Sequence, residues 1–250
     1  MSSSTDGMRR APHAVLDPES RRRKARKIAT IVGQERPLAG LRVLDVGIGA
    51  GVIASCLSEV VGEQGEVHGV DVVDVRVETD GYEFHLVDGV TLPFPDASFD
   101  VVISNHCIEH TGGPDEQQRH TRELGRVLRP DGVGYFTVPN RWAPLEPHFR
   151  LLGLSWLPSV ALQSRYVRLA RRGERYDCRL LTRSEVRALF AAAALDAQER
   201  TLDAMRVMAE VEEPSRAMRT MLLAPEPVLR AGMVAVPTLV YTFRHSSAPA

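Results

Sequence analysis

The residues most suited to chemistry cluster in a few short stretches. LRVLDVGIGAG (41–51) runs as a short apolar strand ending at Asp45 and then turns through Gly47, Gly49 and Gly51 into an apolar helix. Glycines belong there because a side chain would block a ligand from the backbone at a helix N-terminus. The spacing is GxGxG, with Val52 where a dinucleotide fingerprint wants Gly or Ala, and Asp45 would repel a pyrophosphate but attract a cationic group. About twenty residues on, EVHGVDVV ends in Asp71, placed to accept both hydrogen bonds of a ribose diol. Asp88 and Gly89 follow a third strand and offer an acceptor and a backbone donor for an exocyclic adenine amine. Together these acids describe a nucleoside whose 5′ substituent is positive rather than phosphorylated.

A fourth strand, FDVVISN, delivers Ser104, Asn105, His106, Glu109 and His110 to the ligand side of a parallel sheet. His110 is the first candidate for a general base, with His106 and Glu109 next, because an imidazole titrates near ~6.5. HCIEH also matches an H-x-x-E-H zinc pattern. That pattern needs both histidines on one face of a long helix, and here the first leaves a buried strand, so no metal is expected.

The elements that must position these residues alternate. From residue 41, β-branched runs and helical segments take turns with short connections, the pattern of a parallel sheet covered on both faces. A helix is expected over about 18–33, with Asp17 as its cap and Pro18 in its first turn; its basic run, Arg21 to Lys27, reads as a solvated face. A helix near 115–129, the strand GVGYFTVPN, a helix in LTRSEVRALFAAAA, a strand near 196–202 and a last strand in PTLVYTFRH complete the pattern. Two insertions interrupt it, at about 141–180 and 205–232, within one domain over 17–250 that follows a flexible 1–16.

Composition sets the outer limits. The 250 residues are 44% hydrophobic and 25% charged, with a formal charge of −1, the profile of an ordinary soluble globule. Near-neutral charge argues against a nucleic-acid binder. Three cysteines without metal-ligand spacing read as free thiols of a reducing compartment, and no run reaches the ~18 apolar residues of a membrane span. A cytoplasmic protein without stable membrane insertion is expected.

VLDVGIGAG (43–51), GVD (69–71), DGVTLPFPDASFDVVISNHCIEH (88–110) and RELGRVLRPDGVGYFTVPN (122–140) resemble the class I S-adenosylmethionine-dependent methyltransferases. The resemblance implies an α/β Rossmann-like fold, a seven-stranded, mostly parallel sheet of order 3-2-1-4-5-7-6 with an antiparallel last strand, helices on both faces and a helical lid. It implies that S-adenosylmethionine, leaving as S-adenosylhomocysteine, is held by Asp45, Gly47, Ile48, Gly49, Gly51, Asp71, Val72, Asp88, Gly89, Ser104 and Asn105. Ile48 stands where family members often have Cys, and Asp131 replaces a frequent Gly. The expected reaction is methyl transfer to oxygen or nitrogen of a small-molecule acceptor, in bacterial secondary or envelope metabolism.

Acceptor choice should reside in the first insertion, where Trp142, Phe149, Trp156 and Leu157 would form an apolar wall and Glu146, His148 and Arg150 polar points within it. Trp142, His148, Arg150 and Trp156 are the expected acceptor contacts. Eight arginines against three acids in 141–180 suggest an anionic acceptor. The alternatives are a quinone, lipid or carrier-linked acceptor met at a membrane surface, a catalytically silent binding protein, and an NAD-dependent oxidoreductase, which Asp45 and Val52 disfavour. A homodimer is compatible with the sequence.

Overall fold

A computed structural model describes residues 17–173, 175–211, 220 and 222–246. The proposed flexible start, 1–16, and part of the second insertion lie outside the described residues.

Helix α1 (Pro18–Glu35) opens the described chain, with the Asp17 carboxylate accepting from Glu19 and Ser20 N–H and Pro18 in its first turn. Seven strands follow: β1 (Arg42–Val46), β2 (Glu66–Asp71), β3 (Glu83–Leu86), β4 (Phe99–Asn105), β5 (Leu128–Pro139), β6 (Leu195–Glu199) and β7 (Thr238–His245). They form one sheet of order β3-β2-β1-β4-β5-β7-β6, as the resemblance implied. All neighbours are parallel except where β7 runs against β5 and β6.

Covering both faces of a sheet requires strands that are apolar on both sides, and β4 is buried at every position. One face packs α1, α2 (Val52–Val61) and α6 (Thr201–Val211) through Ile28, Ile31, Ile53, Leu57, Ala204 and Val207 against Val43, Val101 and Val133. The other packs α3 (Pro114–Val127) and α5 (Arg183–Ala192) through Leu124, Val127, Val186 and Phe190 against Leu44, Val102 and Phe136. Thr182 and Glu185 start α5 with a capping box, the local signal that ends the first insertion. Burying these apolar side chains contributes about 1.5–3 kcal/mol each, which makes the sheet a rigid platform for whatever stands at its rim.

The first insertion has its own small core of Phe149, Leu154, Val167, Tyr176, Cys178 and Leu180 around α4 (Val160–Leu169). The second is helical in its described parts, α6 and α7 (Glu226–Gly232), although α6 begins at Thr201, earlier than the sequence pattern indicated. Asn140 joins the two insertions. Its N–H donates to Pro237 O, its side-chain amide donates to Val234 and Val236 O, and it bridges to Leu181.

Candidate active site

The glycine turn leaves β1 on residues that only glycine adopts without strain. Gly47, Gly49 and Gly51 have φ of 79°, 53° and 82°. A side chain at Gly47 would meet Cys107 Sγ at 2.7 Å, whereas one at Gly49 would point into open space, so the turn is closed on its β4 side and open above. Gly51 packs under the Glu78 carbonyl and the Tyr82 hydroxyl, which themselves hydrogen-bond. Ala50 O accepts from Val77 and Glu78 N–H, so the loop after β2 is stitched onto the turn.

Asp71 ends β2 at this turn. Its Oδ2 accepts from Gly49 N–H at 2.9 Å, and its Oδ1 accepts from Val72 N–H at 2.7 Å. Oδ1 also takes a longer bond from Val73 N–H at 3.4 Å, and Oδ2 retains a further lone pair for a ligand. Asp45 lies beneath, 2% exposed, with Oδ2 lacking any hydrogen-bond partner among the described residues. Burial pushes its carboxyl up to about 7; Arg21 on α1 opposes that rise and Asp71 adds to it. A buried, unsatisfied acid under a left-handed backbone turn is a site for a cationic ligand group. Asp88 and Gly89 are exposed on the loop after β3, and Gly89, at φ 77°, also faces open space.

Two of the expected cofactor contacts have side chains placed differently from the rest. Ser104 is fully buried, and its hydroxyl stands 3.0 Å from His120 Nε2 on α3, on the helix side of the sheet rather than the ligand side. Ile48 sends its side chain into the core, filling the space left by Gly69, and offers the ligand only backbone. For Ser104 the reason is alternation: β-strand side chains switch faces at each residue, and proximity in sequence to the strand end does not fix the face. Asn105 is 8% exposed, and its Oδ1 accepts from the Thr137 hydroxyl.

Beyond β4 the chain makes a sharp bend at His106, a non-glycine residue at φ 53° held by hydrogen bonds from its N–H to Thr137 O and Oγ1. Such a conformation costs about 1–3 kcal/mol and persists where surrounding structure enforces it. It brings His106 Nδ1 to 3.3 Å from Oε1 of Glu109, which is fully buried. Burial would raise the Glu109 carboxyl, but hydrogen bonds with His106 and His148 outweigh it and hold it well below its ordinary value. Burial lowers the His106 imidazole, against the opposing pull of Glu109 and with help from Lys24 and Lys27.

The first insertion closes on this bend. His148 Nε2 lies 3.7 Å from Glu109 Oε1, its Nδ1 pairs with Glu146 Oε1 at 2.7 Å, and its ring meets His110 edge to face at 5.3 Å. Glu146 is also fully buried, with Oε2 accepting from Phe149 N–H at 2.6 Å. Burial would lower the His148 imidazole; hydrogen bonds with Cys178, Glu109 and Glu146 prevail and push it up to about 12. The returning limb is fixed by Arg179 N–H donating to Glu109 O and by the Gln117 amide donating to Ile108 O and Arg179 O. His106, Glu109, His110 and His148 are therefore brought together. Trp142 and Trp156 are not: they are 52% and 50% exposed, and only Phe149 of the expected wall is buried deeply. Arg150 is exposed at φ 54°, on a shallow groove with Pro144, Pro147 and Pro237.

The sequence reading missed the contribution of α1. Its basic run is not simply a solvated face, because Lys27 is only 9% exposed and the charges of Arg21, Lys24 and Lys27 reach Asp45 and His106. Arg22, by contrast, pairs at the surface with Glu78. Positions 21, 24 and 28 share a helical face, so spacing relative to the buried Ile28 was the available signal.

The family model for a methyltransferase domain matches residues 44–136, spanning the glycine turn, Asp71, Asp88 and the β4 bend just described. The matched segment and the strand order are those of a class I S-adenosylmethionine-dependent methyltransferase domain. Among similar proteins, a ubiquinone biosynthesis O-methyltransferase of Ruegeria pomeroyi is 31% identical over 137 residues, covering 51% of this chain and 54% of that protein. A probable S-adenosylmethionine-dependent methyltransferase of Mycobacterium tuberculosis is 31% identical over 160 residues, covering 61% and 56%. The chain thus spans about half the length of the curated relatives it matches. Among solved structures, an S-adenosylmethionine-dependent methyltransferase of Mesorhizobium loti shares the fold with a TM-score of 0.59 at 16% identity, covering 89% of this chain and all of that one. A Burkholderia thailandensis N-methyltransferase with bound S-adenosylhomocysteine has a TM-score of 0.54 at 20% identity, covering 92% and 80%. The family cofactor suits this turn: its positive groups answer the unpartnered Asp45 oxygen, and the open space above Gly49 admits it against the backbone.

Proposed function

We propose that this methyltransferase moves the methyl group of S-adenosylmethionine to an oxygen or nitrogen of a small-molecule acceptor. The observation that carries the reading is the buried Asp45 carboxylate, with one oxygen unpartnered, beneath a left-handed glycine turn and beside Asp71. Gly47, Gly49, Gly51 and the Ile48 backbone form the cradle, Asp71 with Val72 takes the ribose, and Asp88 with Gly89 takes the adenine; Asn105 lines the β4 side. Displacement at a sulfonium carbon needs little beyond alignment and removal of the acceptor's proton. Among the candidate bases His106, Glu109 and His110, His106 has the supporting arrangement. Its Nδ1 is engaged by Glu109, which leaves Nε2 to take the proton and stabilises the imidazolium that results. Glu109 acts through His106 and positions it. The arginine excess and Arg150 at the rim support an anionic acceptor, with His148 nearer to it than the two tryptophans.

Calorimetric titration of the purified chain with S-adenosylmethionine, S-adenosylhomocysteine and NADH tests the cofactor assignment. The expected result is binding of both adenosyl ligands and none of NADH; NADH binding more tightly would overturn it. Labelled-methyl transfer to a panel of small acceptors, anionic compounds first, then tests transfer itself.

One observation favours a second reading, an isoprenoid or lipid acceptor met at a membrane surface. Trp142, Leu152, Trp156, Val160, Leu162 and Leu169 are all exposed on the arginine-rich insertion, a combination suited to an interface. No helix among the described residues is long and apolar enough to cross a membrane. Sedimentation with anionic and neutral vesicles separates the readings: retention on anionic vesicles that is lost in Trp156→Ala supports the second, and no retention removes it.

A further inference from the structure

Two segments held at one rim of the sheet bring metal-ligating atoms together. His110, on the turn after β4, and Cys178, on the returning limb of the first insertion, approach to 3.8 Å between Nδ1 and Sγ. His148 joins them, one ligand atom from each of the three lying within 4.8 Å of the others. Around a tetrahedral zinc ion, with Zn–N near ~2.0 Å and Zn–S near ~2.3 Å, such atoms stand about 3.5 Å apart, so a contraction of at most about 1.3 Å would close the set.

The surroundings are those of a built site. The Glu146 carboxylate on His148 Nδ1, at 2.7 Å, fixes the tautomer that presents Nε2, the arrangement in which a carboxylate orients a ligating histidine. Glu146 is itself locked by the Phe149 N–H. Glu109 stands next to these three. It is fully buried, its Oε1 stands 3.7 Å from His148 Nε2, and its Oε2 has no hydrogen-bond partner among the described residues. A wholly buried carboxylate oxygen without a partner, beside the His106 and His148 imidazoles, lacks a cation more than it lacks another hydrogen bond.

We propose that His110, His148 and Cys178 bind one zinc ion, with the Glu109 carboxylate turning in as fourth ligand, and that the ion ties the first insertion to the bend after β4. Cys178 binds as thiolate and both histidines bind neutral, so the thiol proton and the second proton of His148 leave to solvent. The thiolate and carboxylate then cancel the ion's double charge in a site closed by four protein ligands. The ion is held by a different set from the H-x-x-E-H reading: His106 remains at the strand end, and two of the ligands come from the insertion. Another His and Glu group, His68, Glu83 and His85, has the Arg42 guanidinium 3.4 Å from His68 Nε2, a resident cation that competes with any metal. The zinc site stands without the methyl-transfer reading.

The test uses the full chain, stripped with chelator and titrated with cobalt(II), then with zinc. Tetrahedral cobalt absorption with a thiolate-to-cobalt charge-transfer band is expected, displaced by zinc with a dissociation constant below about 1 μM. Cys178→Ser should abolish the charge-transfer band, and Glu146→Gln, which keeps every ligand, should weaken zinc by about 10-fold or more while circular dichroism is unchanged. A folded chain that shows only octahedral cobalt absorption would overturn the proposal, as would a band that persists in Cys178→Ser. S-adenosylmethionine titrated into the same samples reads the other proposal separately. Cofactor binding without the cobalt band sinks the zinc site alone, and the band without cofactor binding sinks methyl transfer alone.

Discussion

Cofactor affinity should rise with pH through the range in which Asp45 loses its proton. In the free protein its carboxyl titrates at about 7, because burial penalises the charged form by more than Arg21 recovers. A bound ligand that places a positive group against Asp45 favours ionisation, so binding expels a proton wherever the free carboxyl is still protonated. If the bound carboxyl titrates at or below about 4, the dissociation constant for S-adenosylmethionine should fall about 50-fold between pH 5 and pH 7, or about 2 kcal/mol. The ligand's own α-amino group, titrating near ~8, stays charged over that window and adds no slope. Calorimetry in buffers of different ionisation enthalpy gives both the affinity and the protons released. Asp45→Asn should bind more weakly at pH 7 and lose the slope. The same substitution should stabilise the ligand-free protein: an acid whose folded pKa is raised loses stability as pH climbs from about 4 to about 7, here on the order of 4 kcal/mol. A wild-type affinity that is flat from pH 5 to pH 7, or a slope unchanged in Asp45→Asn, would show that Asp45 does not face the ligand's charge.

Three further outcomes follow from the same geometry. Asp71→Ala removes acceptors for Gly49 and Val72 N–H and for the ribose, and should weaken S-adenosylmethionine by about 1–3 kcal/mol in calorimetry; an unchanged constant would remove that role. His106→Gln should lower kcat by about 100-fold or more with cofactor affinity preserved, measured by methyl transfer to the acceptor once found; a full rate would leave His106 a structural bend. His120, buried on α3 and lowered to about 4 by that burial, stays neutral in the fold, so stability present above about 6.5 should be lost as pH falls toward 4. This group contributes about 3 kcal/mol to that loss, visible as a fall in Tm from pH 7 to pH 4.5 that His120→Gln reduces.

The parts legible in sequence were those fixed by local physics. GxGxG after an apolar strand requires a left-handed turn, and all three glycines adopt it. Asp17 and Pro18 began α1 where their capping chemistry predicts, and the strand order matched the resemblance. What was lost depended on facing and on contacts distant in sequence. Ser104 sits at the expected strand end with its side chain on the α3 face, a distinction of one residue in a two-residue period. The tryptophans seemed natural walls for an apolar pocket, yet Phe149, Leu154 and Tyr176 fill the core of the insertion and leave Trp142 and Trp156 half outside. Glu146, His148 and Cys178 reach the β4 bend only because hydrogen bonds from Gln117 and Arg179 dock the returning limb, a pairing across about sixty residues that no spacing rule encodes.

The junction at Asn140 has a bearing on how such a protein could change its target. The first insertion leaves the sheet after Asn140 and comes back beside it at Leu181, and the second ends at Val236 and Pro237, which the same asparagine holds. Both insertions thus meet at one socket at the end of β5, while Asp45, Asp71 and the glycine turn stand across the sheet on β1 and β2. Grafting a foreign insertion between residues 140 and 181 would leave every proposed cofactor contact in place, so new acceptors become reachable by exchanging a cassette rather than by redesigning an enzyme.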